Sequence, residues 1–196
     1  MADRPRMVVV AGPSGSGKST HFPVAELGLA YFNVDDRCAE LNGGAYQAIP
    51  PRFRQLAQEE CKNFIERCTM DGRSFAVETT LRTDVAIRQG EAAREAGFRL
   101  EMIFVATDAV DENVSRVARR GLDGGHCAPE SQIHEIYNLS LSNLPRAIDV
   151  FDEVLIFDST VFDAAPRLVA CYESGVAIIR SPPWPAWYLV ALAQRA

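Results

Sequence analysis

The feature that most constrains this chain is a short apolar run, Met7–Ala11, that passes directly into a glycine-rich loop and then a helix. The loop fits the pattern G-x-x-x-x-G-K-[ST] in the strand–loop–helix context that the pattern requires. Its glycines allow successive backbone N–H groups to converge on phosphate oxygens at a helix N-terminus, where the helix dipole also favours anions. The loop is therefore predicted to bind a nucleoside triphosphate through Gly12, Pro13, Ser14, Gly15, Ser16, Gly17, Lys18, Ser19 and Thr20.

Two side chains of this loop have predicted roles in the chemistry. We expect the ammonium group of Lys18 to reach the β- and γ-phosphates and to act in catalysis, and the hydroxyl of Ser19 to ligate Mg²⁺. The predicted donor is accordingly ATP or GTP, with Mg²⁺ as the metal. A glycine-rich turn that binds nothing is the alternative, and the complete motif in its context argues against it.

The remainder of the chain alternates apolar runs of strand length with segments of helical period. This order is typical of βαβ units around a parallel sheet, so the predicted fold class is α/β with a mainly parallel central sheet. No linker or internal repeat interrupts the pattern, and we expect one domain over residues 1–196. Within it, helical spacing predicts a helical segment over about 36–72, and a pair of glycines predicts a mobile lid over about 121–129.

Composition excludes several classes of protein. The chain has 26 Asp and Glu against 20 Lys and Arg, a net charge of −6, which argues against nucleic acid as a partner. No apolar stretch approaches the roughly 18 residues of a membrane helix, so no membrane association is expected. The five cysteines lack any Cys-x-x-Cys pair, which is typical of reduced thiols in the cytoplasm. We therefore expect a cytoplasmic enzyme.

Acidic and hydroxyl side chains follow the second and third predicted strands. In an open α/β sheet, ligands collect outside the carboxyl ends of the strands, where Asp35, Glu78, Thr79 and Thr80 would lie. Asp35 is the predicted general base, and Glu78 is expected to hold a substrate hydroxyl or a water of the Mg²⁺ shell. The alternative for Asp35 and Asp36 is an N-cap with a first-turn acid, which we favour for Asp36 only.

A helix predicted from about Ala109 to Gly121 presents three arginines beside its valine stripe. Arginines on a helix that enters a flexible segment can neutralise charge on a transferring phosphoryl group. Arg120 and then Arg116 are the predicted catalytic arginines, with Arg119 the weaker candidate. A solvated basic face is the alternative for all three.

Two features nearer the C-terminus allow alternatives. Asp158 ends an apolar run and could supply a second Mg²⁺ ligand, although an ordinary turn aspartate is favoured. Trp184 and Trp187 are expected to pack a terminal helix against the sheet, and an exposed partner-binding patch is the other interpretation.

Taken together, the segments AGPSGSGKST, FNVDD, SFAVETTLR and GGHCAPE followed by NLP resemble the zeta-toxin family. The resemblance extends from about Met7 to Asp158. It implies a P-loop kinase-like three-layer sandwich and phosphorylation of a UDP-N-acetylamino sugar, typically UDP-N-acetylglucosamine, by ATP or GTP. Carried onto this chain, Lys18 binds phosphate, Ser19 binds Mg²⁺ and Asp35 is the base. Glu78 and Thr79 contact the sugar nucleotide.

The chain departs from the toxins in the lid, where His126 stands in place of a second arginine. A neutral imidazole stabilises less negative charge than a guanidinium, so His126 is treated as a substrate-binding candidate and another acceptor stays open. The competing functions are a kinase of a different small molecule and a regulatory nucleotide-binding ATPase without an acceptor. An antitoxin protein is the further partner that the resemblance suggests.

Overall fold

Strand β1 (Arg6–Ala11) stands at the centre of the sheet in the computed structural model, which describes residues 4–122, 124–125 and 128–193. Among those residues, seven strands form one sheet in the order β2-β3-β1-β4-β5-β6-β7. The other strands are β2 (Ala30–Phe32), β3 (Phe75–Thr79), β4 (Arg99–Ala106), β5 (Glu153–Asp158), β6 (Arg167–Glu173) and β7 (Val176–Arg180). The first five strands in this order pair in parallel, and β6 and β7 pair antiparallel, so the predicted mainly parallel sheet is confirmed.

Helices connect these strands and cover the sheet. They are α1 (Lys18–His21), α2 (Val34–Leu41), α3 (Pro51–Met70), α4 (Val85–Glu95), α5 (Val110–Leu122), α6 (Glu130–Val150) and α7 (Ala186–Leu192), with one 3₁₀ turn at Val24–Glu26. The helix predicted to run from the phosphate loop to about Glu26 is therefore a single turn followed by a separate 3₁₀ turn. None of the described helices is both long and apolar enough to span a bilayer.

After the exposed Arg6, strand β1 is apolar from Met7 to Ala11, where both of its faces are buried. Met7, Val9 and Ala11 belong to the main core, which also contains side chains of α4, α6 and α7. Val8 and Val10 point to the opposite face and pack with Val24 and its neighbours after the phosphate loop. Strand β1 pairs with β3 on one edge and with β4 on the other, and these two registers position the phosphate loop at its carboxyl end.

The predicted helical segment over about 36–72 consists of two helices, α2 and α3, joined by residues 42–50. They enclose a small core of Cys38, Ile49 and Ala57. A two-point ion pair between Arg37 and Glu60, at 2.6 and 3.1 Å, also joins the two helices. The small core and the ion pair unite α2 and α3 as an arm, which Ile65 and Cys68 of α3 anchor to the main core.

The start of α2 agrees in part with the alternative of an N-cap and a first-turn acid, because Asp36 lies in the first turn but the N-cap is a different residue. The side chain of Asn33 is the N-cap and accepts hydrogen bonds from the backbone N–H groups of Asp35 and Asp36, at 2.9 and 3.3 Å. Both aspartates occupy the first helical turn, where a negative charge is favourable. The carboxylate of Asp36 accepts a hydrogen bond from Tyr46, whereas that of Asp35 faces the cleft described below.

The two C-terminal tryptophans differ in burial: one packs against the sheet, and the other is partly exposed. Trp187 is 3% exposed, and its ring lies 6.0 Å from that of Phe104 in β4, so it packs α7 against the sheet as predicted. Trp184 precedes α7, is 39% exposed and contacts Tyr188.

Replacing Trp187 by alanine should lower the free energy of unfolding by about 3–5 kcal/mol, because it leaves a large cavity beside β4. Replacing Trp184 by alanine is the matched control and should cost less than about 1 kcal/mol, since its ring is partly solvated. Urea unfolding of both variants measures the difference. Equal losses would contradict the different packing of the two rings.

Candidate active site

The phosphate loop requires glycine at two positions because the backbone of neighbouring elements passes very close to it. A Cβ atom at Gly12, where φ is +138°, would lie 2.0 Å from the carbonyl oxygen of Val105 in β4. A Cβ atom at Gly15, where φ is +79°, would lie 2.6 Å from the carbonyl oxygen of Asn113 in α5. Any side chain here would displace the loop, so these glycines are needed for its position as well as for its backbone angles.

Two buried side chains hold the loop from outside the motif. The Asn113 Nδ2 donates a hydrogen bond to the carbonyl oxygen of Ser14 at 2.6 Å, and its Oδ1 accepts one from the hydroxyl of Thr107. The Ser159 hydroxyl, just after β5, donates to the carbonyl oxygen of Ser16 at 2.6 Å. Asn113, Thr107 and Ser159 are almost fully buried, so water does not compete for these bonds. The loop is thus fixed to α5 and to the end of β5.

The Lys18 side chain folds back onto the loop. It is 6% exposed, and its Nζ donates hydrogen bonds to the carbonyl oxygens of Gly12 at 2.8 Å and Pro13 at 3.0 Å. These bonds satisfy two of the three ammonium donors and leave one for a further acceptor.

Burial lowers the pKa of Lys18, and the charges around it act in both directions. The carboxylates of Glu78 and Asp35 raise this pKa, while the Arg120 guanidinium lowers it. All three side chains therefore lie within electrostatic range of the lysine. The structure brings together the phosphate loop, the predicted base and one predicted catalytic arginine.

Ser19 and Glu78 form a pair of oxygen donors at the start of α1. The hydroxyl of Ser19 lies 3.1 and 3.0 Å from the two carboxylate oxygens of Glu78, at the end of β3. Hydroxyl and carboxylate oxygens are the hard ligands that Mg²⁺ prefers. The residues present therefore fit the metal that the motif predicts.

A cleft of about 1380 Å³ joins all of these groups. Of the predicted site residues, those that line it are Ser14, Gly15, Gly17, Lys18, Ser19, Thr20, Asp35, Glu78, Thr79, Thr80, Arg116 and Arg120. Gly12, Pro13 and Ser16 lie behind this surface, where two of their carbonyls bind Lys18 and the third binds Ser159. His126 and part of the predicted lid lie outside the described residues.

The three arginines of α5 have different surroundings. Arg116 donates to the carbonyl oxygens of Ser159 at 2.8 Å and Thr160 at 3.2 Å, so it joins α5 to the segment after β5. The guanidinium carbon of Arg119 lies 4.8 Å from the centre of the Phe162 ring. Arg120 is exposed at the cleft within electrostatic range of Lys18.

Asp158 has the contacts of an ordinary turn aspartate, the interpretation favoured above over a second Mg²⁺ ligand. Its carboxylate accepts hydrogen bonds from the hydroxyl and backbone N–H of Thr160, at 2.6 and 3.3 Å, and from the indole of Trp187 at 3.4 Å. It does not line the cleft. Its carboxylate therefore stabilises the turn after β5.

The lining of the cleft is positively charged although the chain is acidic. Seven lysines and arginines line it, against the three carboxylates of Asp35, Glu78 and Asp163. Arg54 and Arg82 are notable because neither side chain forms a hydrogen bond or an ion pair within the part of the chain that the structure describes. Both lie in the half of the cleft formed by α3 and the loop after β3.

Sequence reasoning did not identify several residues of this site: Asn113, Ser159, Phe162, Arg54 and Arg82. Asn113 offered a signal, because it lies three residues after Val110 and four before Val117, on the apolar stripe of α5. A polar residue in such a position needs a hydrogen-bond partner. No local pattern distinguishes the other four from ordinary surface residues.

The sheet order, the phosphate loop and the cleft define a P-loop kinase fold, the fold of a class of phosphotransferases. The zeta toxin family profile matches residues 1–165, and the chain belongs to that family. Among curated proteins, none matches the sequence.

Solved structures with the same fold share little sequence with this chain. The PezAT toxin–antitoxin system of Streptococcus pneumoniae is 17% identical, with a TM-score of 0.63 and 97% of this chain and 78% of that chain covered. The AvrRxo1-ORF1:-ORF2 complex with ATP is 17% identical, with a TM-score of 0.69 over 91% of this chain and 61% of that one. A protein from Chloroflexus aurantiacus named as a kinase is 19% identical, with a TM-score of 0.54 over 70% and 79%.

Replacing Asn113 by alanine should weaken nucleotide binding about tenfold, because the carbonyl of Ser14 loses the hydrogen bond that holds the loop. Ser115→Ala, at an exposed position of the same helix, is the control and should bind as the wild type does. Isothermal titration with ATP measures both. Unchanged affinity of the Asn113 variant would show that the loop holds its shape without α5.

The affinity for nucleotide should fall as the pH rises. In the free protein burial holds the pKa of Lys18 below the ordinary value of 10.5, and a bound triphosphate favours the ammonium form. Binding then takes up a proton, so affinity is lost as the pH rises through the lowered pKa. Titrations of ATP from about pH 7 to about pH 10 measure this loss.

The control for this pH dependence is Lys18→Arg, which stays protonated over the whole range and should show a flat profile even if its affinity is lower. An equal decline in both proteins would assign the effect to another group.

Proposed function

We propose that the protein moves the γ-phosphoryl group of ATP or GTP onto a hydroxyl of a small substrate. The observation that supports this most directly is the single cleft shared by the phosphate loop and Asp35, with Lys18 in electrostatic range of that carboxylate. Phosphoryl transfer depends mainly on positioning and charge neutralisation, and a cleft of this kind can provide both.

On the donor side, backbone N–H groups of the loop between Ser14 and Ser19 bind the phosphates, since Pro13 has no N–H group to donate. The ammonium of Lys18 keeps its hydrogen bonds to the carbonyl oxygens of Gly12 and Pro13 and directs its remaining donor to the phosphate oxygens. The negative charge of the phosphates offsets the cost of burying the ammonium. Ser19 and Glu78 would hold Mg²⁺, for which their oxygen atoms, 3.0 Å apart, are suitable. When bound, Mg²⁺ neutralises negative charge on the phosphates.

On the acceptor side, the hydroxyl oxygen of the substrate attacks the γ-phosphorus, and Asp35 takes the proton of that hydroxyl. The bond between the γ-phosphorus and the oxygen that bridges it to the β-phosphate breaks, and the nucleoside diphosphate leaves. The carboxylate is fixed in the first turn of α2 by the Asn33 cap, so it is held at the cleft without a rearrangement of the helix. Thr79 and Thr80 line the same half and orient the substrate. His126 is proposed as a further substrate-binding residue.

Among the arginines, Arg120 is the proposed catalytic one, because it is exposed at the cleft and close enough to affect Lys18. Arg116, predicted as a second catalytic arginine, is already bonded to two backbone carbonyls. We assign it a positioning role, in which it holds α5, and with it Arg120, against the segment after β5.

The proposed acceptor is a UDP-N-acetylamino sugar such as UDP-N-acetylglucosamine. Its diphosphate is negatively charged, and the free guanidinium groups of Arg54 and Arg82 face the acceptor half of the cleft. Arginines without a carboxylate partner are suited to phosphate oxygens. The resemblance of the sequence to the zeta toxins implies the same acceptor.

The location and protein partner are proposals of the same kind. The PezAT structure comes from a toxin–antitoxin system, and this supports an antitoxin protein as the partner of the present chain. A cytoplasmic location follows from the supply of ATP and nucleotide sugars that such an activity requires.

The proposed activity is tested by incubating the protein with ATP, Mg²⁺ and separate acceptors, and by weighing the products. UDP-N-acetylglucosamine should gain the mass of one phosphoryl group. Asp35→Asn should slow this transfer by about 10²–10⁴-fold, since the general base is lost, while ATP still binds. Asp36→Asn is the matched control, because Asp36 is the neighbouring acid and bonds Tyr46 instead of facing the substrate.

Each contrary outcome has a distinct meaning. No product from any UDP-sugar would exclude the proposed acceptor, and a neutral sugar phosphorylated instead would favour a different small-molecule kinase. Slow ATP hydrolysis that is unaffected by Asp35→Asn would favour the regulatory ATPase.

A further inference from the structure

We propose that α6 positions the acceptor side of the cleft, with Ser140 and Asn143 as the positioning residues. This inference rests on the proposed function, because it concerns how the acceptor is bound. The loop between β3 and α4, residues 80–84, carries Thr80 and Arg82, and both line the cleft. Ser140 and Asn143 lie behind this lining, and each donates a hydrogen bond to the backbone of the loop.

Two side-chain hydrogen bonds join α6 to this loop. The hydroxyl of Ser140 donates to the carbonyl oxygen of Thr80 at 2.7 Å, and the Nδ2 of Asn143 donates to that of Leu81 at 2.9 Å. Ser140 is fully buried, so water does not compete for its bond. The helix therefore holds two consecutive peptide groups of the loop.

The loop needs this support because its backbone is strained. Leu81 has a φ of +57°, in the left-handed region that residues other than glycine rarely adopt. Such a conformation persists only where the surrounding contacts determine it. Here the side chain of Leu81 is fully buried in the main core, its N–H donates to the hydroxyl oxygen of Thr79 at 3.2 Å, and its carbonyl is held by Asn143. Loss of one of these contacts should allow the loop to relax.

The strained residue controls where its neighbours lie. Thr80 and Arg82 stand on either side of Leu81 and line the cleft, whereas Leu81 itself belongs to the main core. Thr79, whose hydroxyl oxygen accepts the bond from Leu81, also lines the cleft. A shift of Leu81 would therefore displace together the two hydroxyl groups and the guanidinium group that are assigned to the acceptor.

The same helix reaches the donor side through a different residue. Tyr137, three residues before Ser140, donates a hydrogen bond to the carbonyl oxygen of Thr107 at 2.7 Å. The side chain of Thr107 bonds Asn113, which holds the phosphate loop. Helix α6 thus contacts both halves of the site, but through separate side chains, and variants of these side chains can be compared directly.

The experiment compares acceptor and donor binding in variants of α6. Asn143→Ala should raise the KM for UDP-N-acetylglucosamine at saturating ATP about tenfold, with kcat little changed and the dissociation constant for ATP unchanged. Ser140→Ala, which removes only a hydroxyl, should give the same pattern. Tyr137→Phe should give the reverse, with ATP binding about threefold weaker and the acceptor KM unchanged. Ser142→Ala is the control, since its hydroxyl is exposed and bonds Leu139 within the helix.

A second measurement needs no acceptor. Hydrogen exchange of the Leu81 backbone N–H reports directly on how firmly the loop is held. Exchange at this N–H should be about tenfold faster in Asn143→Ala than in the wild type, because the loop opens more often. Ser142→Ala and Tyr137→Phe should leave it unchanged.

The outcomes separate this proposal from the proposed function. An unchanged KM for the acceptor in an active Asn143 variant would overturn the positioning role, whatever the exchange shows. Equal weakening of ATP and acceptor binding would mean that the side chain only supports the fold, and would overturn it too. If the wild type binds ATP but phosphorylates no acceptor, the kinase proposal fails and hydrogen exchange decides: unchanged exchange at Leu81 overturns the hold of α6 on the loop, and faster exchange supports it.

Discussion

The attachment of the phosphate loop to buried side chains outside its own motif is the interaction on which the site depends. A glycine-rich loop alone has many conformations, and its glycines lose more entropy on ordering than other residues do. Here the carbonyls of Ser14 and Ser16 are held by Asn113 and Ser159, and those of Gly12 and Pro13 by Lys18. With the carbonyls fixed from behind, the N–H groups are directed into the cleft.

The same attachments divide the cleft into two halves with different mechanical properties. Strand β1 separates them: the elements after β4 and β5 bond directly to the phosphate loop, whereas α2 and α3 form an arm with a small core of its own. The arm touches the far end of α5 through a hydrogen bond from Gln47 to the carbonyl of Gly121, at 2.7 Å. The donor half is therefore bonded directly to the phosphate loop. The acceptor half is anchored to the main core through Ile65 and Cys68 of α3.

Features formed by neighbouring residues could be predicted from the sequence, whereas features formed by residues far apart in the chain could not. Strand β1 was located correctly from the continuous apolar run Met7–Ala11, because that signal is local. The eight-residue motif that predicts the phosphate loop is a local signal of the same kind. Asn113 and Ser159 meet the loop across 99 and 143 residues, so their roles exist only once the sheet is formed. Asp36 lies in the first turn of α2 as a first-turn acid would, but the N-cap is Asn33, which was not singled out because several adjacent residues have similar capping propensity.

The charge of the cleft has a consequence for the rate at which substrates arrive. Its seven cations exceed its acids by four, so the rest of the chain has ten net negative charges. At physiological salt the Debye length is about 8 Å, so a small anion in solution senses mainly the charges nearest to it. The net negative charge of the rest of the chain repels such an anion, whereas the net positive lining of the cleft attracts it. A nucleic acid is long enough to lie against the negative surface and the positive cleft at the same time, so repulsion cancels part of the attraction. The charge distribution therefore favours the capture of small phosphorylated molecules over nucleic acids.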